Sequence, residues 1–370
     1  IECFVNGIRY MVTFADPAVA NAINQYNRLT IPKWLDDTVG NATRWLAQAF
    51  TSRNPAFVAA NFLRDVQHAA LIHGIDPGGD LRGFMRNIPP SMATITRNVR
   101  GKSAPLKVAE LGRLDILNTA DRKMLIEQYG PERGMGALYE YFRDNGGETG
   151  FVHSKDVAEA EKEIKRYVAF RTGRVAELAK AAQPSERPGI WLSYAAQKSG
   201  AKAIATGLEN ASKVAENTSR FATFLASLDQ GKSLLVAIDE AKNVTVNFNR
   251  RGTATRPLGM FYVFFNASVQ GAAQIARVAF KNRKRFAKVV ASLAAAGFLD
   301  SLLLDFFLAG SGDDGRDLVV SEYEKRNHLI IPYMGKNGFL KIPLPQGFRA
   351  FYGIGSLLHD LYRGKVRAED

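Results

Sequence analysis

Six cationic side chains lie close together in the sequence and are its strongest candidates for binding a ligand by charge. If this stretch is helical, Arg277, Lys281, Lys284 and Lys288 repeat every three or four residues and share one face. Such a face can bind the phosphates of lipid headgroups or of nucleic acid. A stripe that only meets solvent explains the same spacing equally well. The six candidates for phosphate contact are Arg277, Lys281, Arg283, Lys284, Arg285 and Lys288.

Two apolar segments, residues 258–280 and 289–309, flank this basic stretch. Each is about long enough to cross a hydrocarbon layer, for which ~20 residues suffice. Asp300 and Asp305 oppose simple spanning, because a carboxylate near the bilayer centre costs about 2.5 to 3.5 kcal/mol. The segments therefore form either a helical hairpin buried in a large core or a hairpin that inserts within an oligomer, with both carboxylates facing an aqueous lumen. The side chains expected to contact membrane or sister subunits are Phe264, Phe265, Phe298, Leu302, Leu303 and Phe306.

Known catalytic and metal-binding patterns are missing from the sequence. It has no phosphate-binding loop ending in Lys-Ser or Lys-Thr, no His-Glu-x-x-His and no Gly-x-Ser-x-Gly. His68 and His73 are five residues apart, whereas four would place them on one helix face to share a metal. His359 and Asp360 are adjacent and are expected to point in different directions. We therefore expect no enzymatic activity, no cofactor and no metal, and Cys3 alone cannot form a disulfide within the chain.

The charge balance indicates the class of partner rather than the fold. The 370 residues include 49 Lys and Arg against 36 Asp and Glu, a formal net charge of +13. This excess favours phosphate-bearing polymers or anionic lipid headgroups. The sequence shows neither a zinc finger nor the interleaved aromatic and basic residues that stack bases. DNA binding, if present, is therefore expected to be non-specific and salt-sensitive.

Short-range patterns predict a mainly α fold, either a multi-helix bundle or an irregular helical array, with two small β-hairpins near the termini. Asn6-Gly7 lies between two β-branched and aromatic runs and predicts the first hairpin. Residues 335–338 separate two further apolar runs and predict the second. Asn54-Pro55 predicts a helix start, and residues 243–249 alternate as in a strand or an extended connector. Helices are predicted over residues 31–49, 55–70, 81–99, 132–143, 155–171, 204–228 and 347–363, the longest of them packed on two sides.

The length allows about two domains. The Pro- and Gly-containing stretch 183–189 is the best candidate linker. We predict an N-terminal hairpin and helical region over 1–150, a helix and linker over 151–188, and a helical domain with the apolar hairpin and the second β-hairpin over 189–370. Ile1 stands where a complete chain would begin with Met, so we expect the sequence to start within a longer polypeptide.

Several stretches together resemble a known family. Residues 218–225 and 241–252 are followed by Phe-Phe-Asn-Ala-Ser-Val-Gln-Gly at 264–271 and Ile-Pro-Leu-Pro-Gln-Gly-Phe at 342–348. With an upstream segment at 52–65 they resemble a domain of the large polyvalent proteins of bacteriophages and prophages, over most of the chain. The resemblance implies a module packaged in the virion and delivered with the genome, and it carries over no catalytic residue. Among the matched residues, Arg220, Asn247, Arg250 and Asn266 favour a buried polar network over a ligand site.

These observations predict an assembly module of a phage internal virion protein that helps the genome cross the host envelope during ejection. Its expected partners are copies of itself, other ejected proteins, phage DNA bound without sequence preference, and the host membrane. It would lie in the virion interior and later in the host envelope or cytoplasm. The alternative is a protein injected with phage DNA that shields it from host restriction by non-specific binding. An enzyme domain of the same polyprotein is the third class.

Overall fold

The computed structural model describes residues 2–5, 8–11, 43, 54–102, 115, 118–148, 174–181, 194, 201–245, 265–310, 320–333, 338–345 and 347–364. These ranges hold ten helices and four strands. The strands are β1 Glu2–Val5, β2 Ile8–Met11, β3 His328–Tyr333 and β4 Gly338–Pro343. The helices are α1 Pro55–Ile75, α2 Leu81–Val99, α3 Thr119–Asp144, α4 Val175–Ala181, α5 Ala201–Asp229, α6 Leu234–Asn243, α7 Phe265–Lys281, α8 Arg283–Gly310, α9 Glu322–Asn327 and α10 Arg349–Tyr362.

The strands form two separate antiparallel hairpins, as the sequence predicts. β1 pairs with β2 so that Val5 lies opposite Ile8. β3 pairs with β4 so that Tyr333 lies opposite Gly338. The mainly α fold with two small hairpins near the termini is thereby confirmed.

Helix boundaries follow the capping residues. The Asn54 side chain accepts hydrogen bonds from the N–H groups of Ala56 and Phe57 at 3.1 and 3.3 Å, and Pro55 begins α1. α2 spans 81–99 as predicted, with the Asp80 carboxylate accepting from the Gly83 N–H at 2.8 Å. In α3, Gly130 has a φ of +81°, and Pro131 begins the second half of the helix. That half contains the predicted segment 132–143.

Helix α5 is the centre of the larger core. Every residue from 217 to 228 is buried, so the helix is enclosed on all sides there. It packs against α1, α2, α3 and α6. Phe221 and Phe224 meet Phe142 of α3 with ring centroids 5.5 and 5.1 Å apart. The prediction of a long helix packed on two sides is confirmed.

The C-terminal half forms a second packing group in which α8 lies along α10. Both helices run in the same general direction: Phe286 meets Phe351 near their starts, and Asp305 meets His359 and Arg363 near their ends. They cross at Gly297 and Gly355, where an added Cβ would overlap the carbonyl oxygen of Tyr352 or of Ala294. Small residues are therefore required at this crossing.

The two packing groups are joined by α1 and by the start of α8. Ile75 of α1 is buried with Val278 of α7 and Phe348, and Phe286 packs at the edge of this cluster. α8 contacts α7 far less than it contacts α10. The predicted helical hairpin of the two apolar segments is therefore wrong for most of their length, because the long partner of α8 is the C-terminal helix.

Several predictions fall outside the described residues. These are both region boundaries, near 150 and 188, the linker 183–189 and the helix over 155–171. Within 31–49 only Thr43 is described, and it is helical. Asn243 is the last residue of α6 rather than the start of a strand, and residues 246–249 lie outside the described ranges.

Candidate functional site

The predicted phosphate-binding cations lie where α7 and α8 meet, and we call them the basic junction: Arg277, Lys281, Arg283, Lys284, Arg285 and Lys288. Asn282 separates the helices. Its backbone N–H donates to the Val278 carbonyl at 3.1 Å, and its side-chain oxygen accepts from the Arg285 N–H at 3.2 Å. One asparagine thus ends α7 and caps α8, so the cations project from a fixed corner rather than from a loop.

All six side chains of the basic junction are exposed. The Lys281 Nζ lies 2.9 Å from the Asp76 Oδ2. Burial alone would raise the pKa of Asp76, but hydrogen bonds from Lys281 and from the Gly78 N–H hold it below its usual value. Within the described ranges, no carboxylate lies within ion-pair distance of the other five. The junction therefore presents a positive surface that the described part of the chain does not neutralise.

The position of these charges is unfavourable for the helix itself. The first turn of α8 contains Arg283, Lys284 and Arg285 and no acidic residue. The N-terminus of a helix carries a partial positive charge. Each cation there therefore destabilises the helix by about 0.3 to 1 kcal/mol. A bound anion would remove this repulsion. Local conflicts of this kind are concentrated at functional sites.

Phe280 lies within the basic junction and is 75% exposed. In the sequence, Phe280 stands out only as the last residue of the first apolar segment. Its helical spacing from Arg277 and Lys284 would have placed it among the cations. An exposed aromatic ring surrounded by cations is typical of surfaces that enter the headgroup layer of a membrane.

The exposed side of α8 continues from the basic junction as an apolar surface, which we call the apolar face: Ala291, Ala295, Leu299, Leu302, Leu303 and Phe306. These residues recur every three or four positions in line with Lys284 and Lys288. Leu303 is 61% and Phe306 is 80% exposed. Large apolar side chains in a continuous row on a surface mark a site of interaction.

Helix α8 is long and apolar enough to cross a membrane over Arg283–Phe307, and its most apolar 18-residue window has a mean hydropathy of 1.7. Only 22% of its most apolar window is buried in the protein. The core helix of a soluble protein would be mostly enclosed at this hydropathy. The burial of α8 therefore disagrees with the interpretation of segment 289–309 as a buried core helix.

The two carboxylates of α8 do not lie on the apolar face. The Asp300 Oδ2 accepts hydrogen bonds from the Tyr352 hydroxyl at 2.5 Å and from the Ile330 N–H at 3.1 Å. Burial raises the pKa of Asp300, and these two bonds partly oppose the shift. The Asp305 Oδ2 lies 3.5 Å from Arg363 Nε. Protein groups of α10 and β3, rather than the expected aqueous lumen, therefore surround these carboxylates.

The remaining predicted contact residues divide between the apolar face and other places. Leu302 is on the apolar face, at 42% exposure. Phe298 is partly buried and meets the rings of His359 and Tyr362, with centroids 5.4 and 6.2 Å away. Phe265 begins α7, and its side chain is outside the described residues, as is Phe264 altogether.

The histidines have separate structural partners. His68 Nε2 lies 2.9 Å from Gln274 Oε1, and His73 Nε2 lies 3.1 Å from Thr223 Oγ1. The expectation that His359 and Asp360 point apart is wrong, because both are buried and His359 Nδ1 lies 3.6 Å from Asp360 Oδ1. Among the residues described, no three His, Cys, Asp or Glu side chains are placed to hold one metal ion.

Arg220 is buried beside acidic residues in the larger core. Its Nη1 donates to Asn217 Oδ1 at 3.5 Å, and the charges of Glu216, Asp65 and Glu148 act on it. Asn247 and Arg250 lie outside the described residues, and Asn266 is described only in its backbone. Of the four residues predicted to form a buried polar network, only Arg220 has a described side chain, and the charges acting on it come from acidic residues outside that prediction.

Comparison of the chain with family models, with curated proteins and with solved structures gives no match.

Proposed function

We propose that this chain is a non-enzymatic assembly module of a phage internal virion protein, and that it attaches to anionic membrane through α8 during genome delivery. The phage context comes from the sequence resemblance. The membrane contact is supported by one observation: the apolar face of α8 is exposed and continues in line from an exposed basic junction.

Charge and apolar surface act together in this proposal. Each Lys or Arg near an anionic leaflet contributes ~1 kcal/mol of attraction, and the basic junction has five cations without an acidic partner in the described ranges. Moving an exposed Leu or Phe side chain from water into hydrocarbon contributes about 1.5 to 3 kcal/mol. The basic junction meets headgroup phosphates, while Leu303 and Phe306 enter the acyl region.

The apolar face favours lipid over DNA as the principal partner. DNA offers phosphates to the basic junction but no apolar layer for Leu299, Leu303 or Phe306. The binding of Asp300 and Asp305 to protein groups also removes the main obstacle that the sequence posed, since neither carboxylate needs to enter hydrocarbon unpaired.

Vesicle co-sedimentation tests the apolar contribution. The variant Leu303→Gln with Phe306→Gln removes two apolar side chains from the face without changing charge, and we expect at least a tenfold loss of affinity for vesicles containing phosphatidylglycerol. The matched control is Leu235→Gln with Val236→Gln, which removes two exposed apolar side chains from α6. Equal affinity of both double variants would refute a role for the apolar face.

The charge contribution is tested on the same vesicles. Replacing Arg283, Lys284 and Arg285 by Gln should weaken binding at least tenfold. Replacing the exposed Arg82, Lys102 and Lys123 by Gln changes the net charge equally and should have a small effect. Tighter binding of the wild-type protein to duplex DNA than to the vesicles, with the DNA binding lost in the α8 triple variant, would instead favour the DNA-shielding function.

A further inference from the structure

A cavity of about 300 Å³ opens between α9 and α10, away from the apolar face. Its surface is mostly apolar and is formed largely by α10, and two of its lining residues are arginines. Its lining residues are Arg326, Asn327, Arg349, Ala350, Gly353, Ile354 and Leu357.

A third arginine, from another helix, interacts electrostatically with Arg349. Arg64 of α1 is partly buried, and its pKa is lowered first by that burial and then by the charge of Arg349. The side chain of Tyr323, from α9, also interacts electrostatically with Arg64 and raises its pKa. Arg64 of α1 thus adds positive charge near Arg349, and both stay charged because arginine remains protonated in proteins.

Acidic side chains compensate this charge only in part. Arg326 Nη2 lies 3.5 Å from Glu322 Oε2, but Glu322 also accepts a hydrogen bond from Lys325 Nζ at 2.9 Å. The charge of Asp65 raises the pKa of Arg64 and so partly opposes the effect of Arg349. No acidic side chain of the described ranges lies within ion-pair distance of Arg349. Like charges held together at a partly desolvated place repel one another, and an anion between them would relieve the repulsion.

The apolar part of the cavity wall limits which kinds of anion could bind between the arginines. The stem of Arg326 lies beside α10, with 3.5 Å between the Arg326 Cβ and the position of an added Cβ at Gly353. Ala350, Ile354 and Leu357 give the cavity an apolar surface next to the two arginines. The cavity volume is at the lower end of ligand pockets, so it suits a small headgroup with a short chain rather than a nucleotide.

We propose that this cavity binds a phosphate monoester or diester that carries a short alkyl chain, with Arg349 and Arg326 holding the phosphate oxygens and Ile354 and Leu357 contacting the chain. Guanidinium groups bind two oxygens of a phosphate at once, which supplies the orientation. The site does not depend on α8, so it can be present or absent independently of the proposed membrane function.

Isothermal titration of the full chain with hexyl phosphate tests the proposal. We expect saturable binding that is at least tenfold tighter than binding of inorganic phosphate, and none of hexanol. Arg349→Gln should weaken hexyl phosphate at least tenfold, and Arg349→Lys should lose part of the affinity because a lysine cannot bind two oxygens in a planar fork. The charge-matched control Arg82→Gln should bind as the wild type does.

Two further outcomes decide the proposal. Equal affinity of wild type and Arg349→Gln, with both proteins folded by circular dichroism, would overturn it. Equal affinity for hexyl phosphate and inorganic phosphate would overturn the assignment to an alkyl ester. Competition by monomeric dioctanoyl phosphatidylglycerol would identify the source as a lipid headgroup, and failure to compete would assign the site to soluble phosphate esters.

Discussion

At the scale of single residues, burial sets the charge state of the side chains that join α1 to the larger core. Asp65 accepts a hydrogen bond from Asn61 Nδ2 at 3.2 Å. Burial raises the pKa of Asp65 to about 7, even though the charge of Arg220 lowers it. Burial lowers the pKa of His73 to about 4 and also lowers that of His68. The core thus favours a protonated carboxyl and neutral imidazoles.

Asp65→Asn should change how stability depends on pH. Between about pH 4 and 7 the unfolded chain has lost the Asp65 proton while the folded chain retains it, so this residue lowers the free energy of unfolding as pH rises. The slope is at most ~1.4 kcal/mol per pH unit. Asparagine does not titrate, so the variant does not lose stability in this way. The free energy of unfolding of the variant minus that of the wild type should therefore rise from pH 4 to 7 and then level off.

Urea denaturation at pH 4.5, 6.0 and 7.5 measures this difference. His68 and His73 act in the opposite direction, because stability from a lowered imidazole pKa is lost as pH falls, but both are present in wild type and variant. The exposed Asp144→Asn on α3 is the control. A stability difference between Asp65→Asn and wild type that stays constant across this range would contradict the assigned pKa.

At the scale of helices, the close crossing of α8 and α10 determines how the apolar face is held outward. Gly355 lies directly against the Ala294 carbonyl, and Ser301 and Ser356 share a hydrogen bond of 2.9 Å beside it. Contacts of this kind fix α10 on the side of α8 that carries Asp300 and Asp305. The opposite side of α8 is consequently left exposed.

Gly355→Ala should destabilise the protein by about 1 to 3 kcal/mol, because the added methyl group overlaps backbone and forces the helices apart. Gly353→Ala, two residues earlier on α10, meets only ordinary contacts at 3.5 Å. It should be neutral or stabilise by up to ~1 kcal/mol through helix propensity. Thermal unfolding of the two variants checks the pair, and equal destabilisation by both would argue against a close crossing.

Local elements were predictable from the sequence because their determinants are local. Asn6-Gly7 predicted the hairpin of β1 and β2, Asn54-Pro55 predicted the start of α1, and α2 was predicted with its observed bounds. The partners of α8 were not predictable in this way. Asp300 meets Tyr352, which is 52 residues away, and the spacing of apolar residues cannot distinguish a helix that packs against its neighbour from one that packs against the C-terminus.

The candidate site could be predicted only in part, because some of its features depend on the sequence nearby and others on packing between distant segments. Charge and spacing identified the basic junction, Leu302, Leu303 and Phe306. The exposure of Phe280 and the convergence of Arg64 with Arg349 depend on tertiary packing between segments far apart in the sequence. Neither has a sequence signal of its own.

At the scale of the whole molecule, the two packing groups divide the structural and the proposed functional roles. The larger core encloses residues 217–228 of α5 on all sides, whereas the C-terminal group leaves one side of α8 uncovered. A net charge of +13 brings the whole chain toward anionic surfaces. In the proposed membrane contact, the basic junction and the apolar face determine which side of the protein meets the lipid.

The depth of Leu303 in a bilayer tests this account most directly. Cys3 is the single cysteine, so Cys3→Ser with Leu303→Cys carries one environment-sensitive fluorophore on the apolar face. On phosphatidylglycerol vesicles we predict a blue shift and quenching by lipids labelled in the acyl chain. The same label at Leu235→Cys should remain in water. Emission at 303 that stays unshifted while the protein co-sediments with the vesicles would contradict the membrane contact proposed for α8.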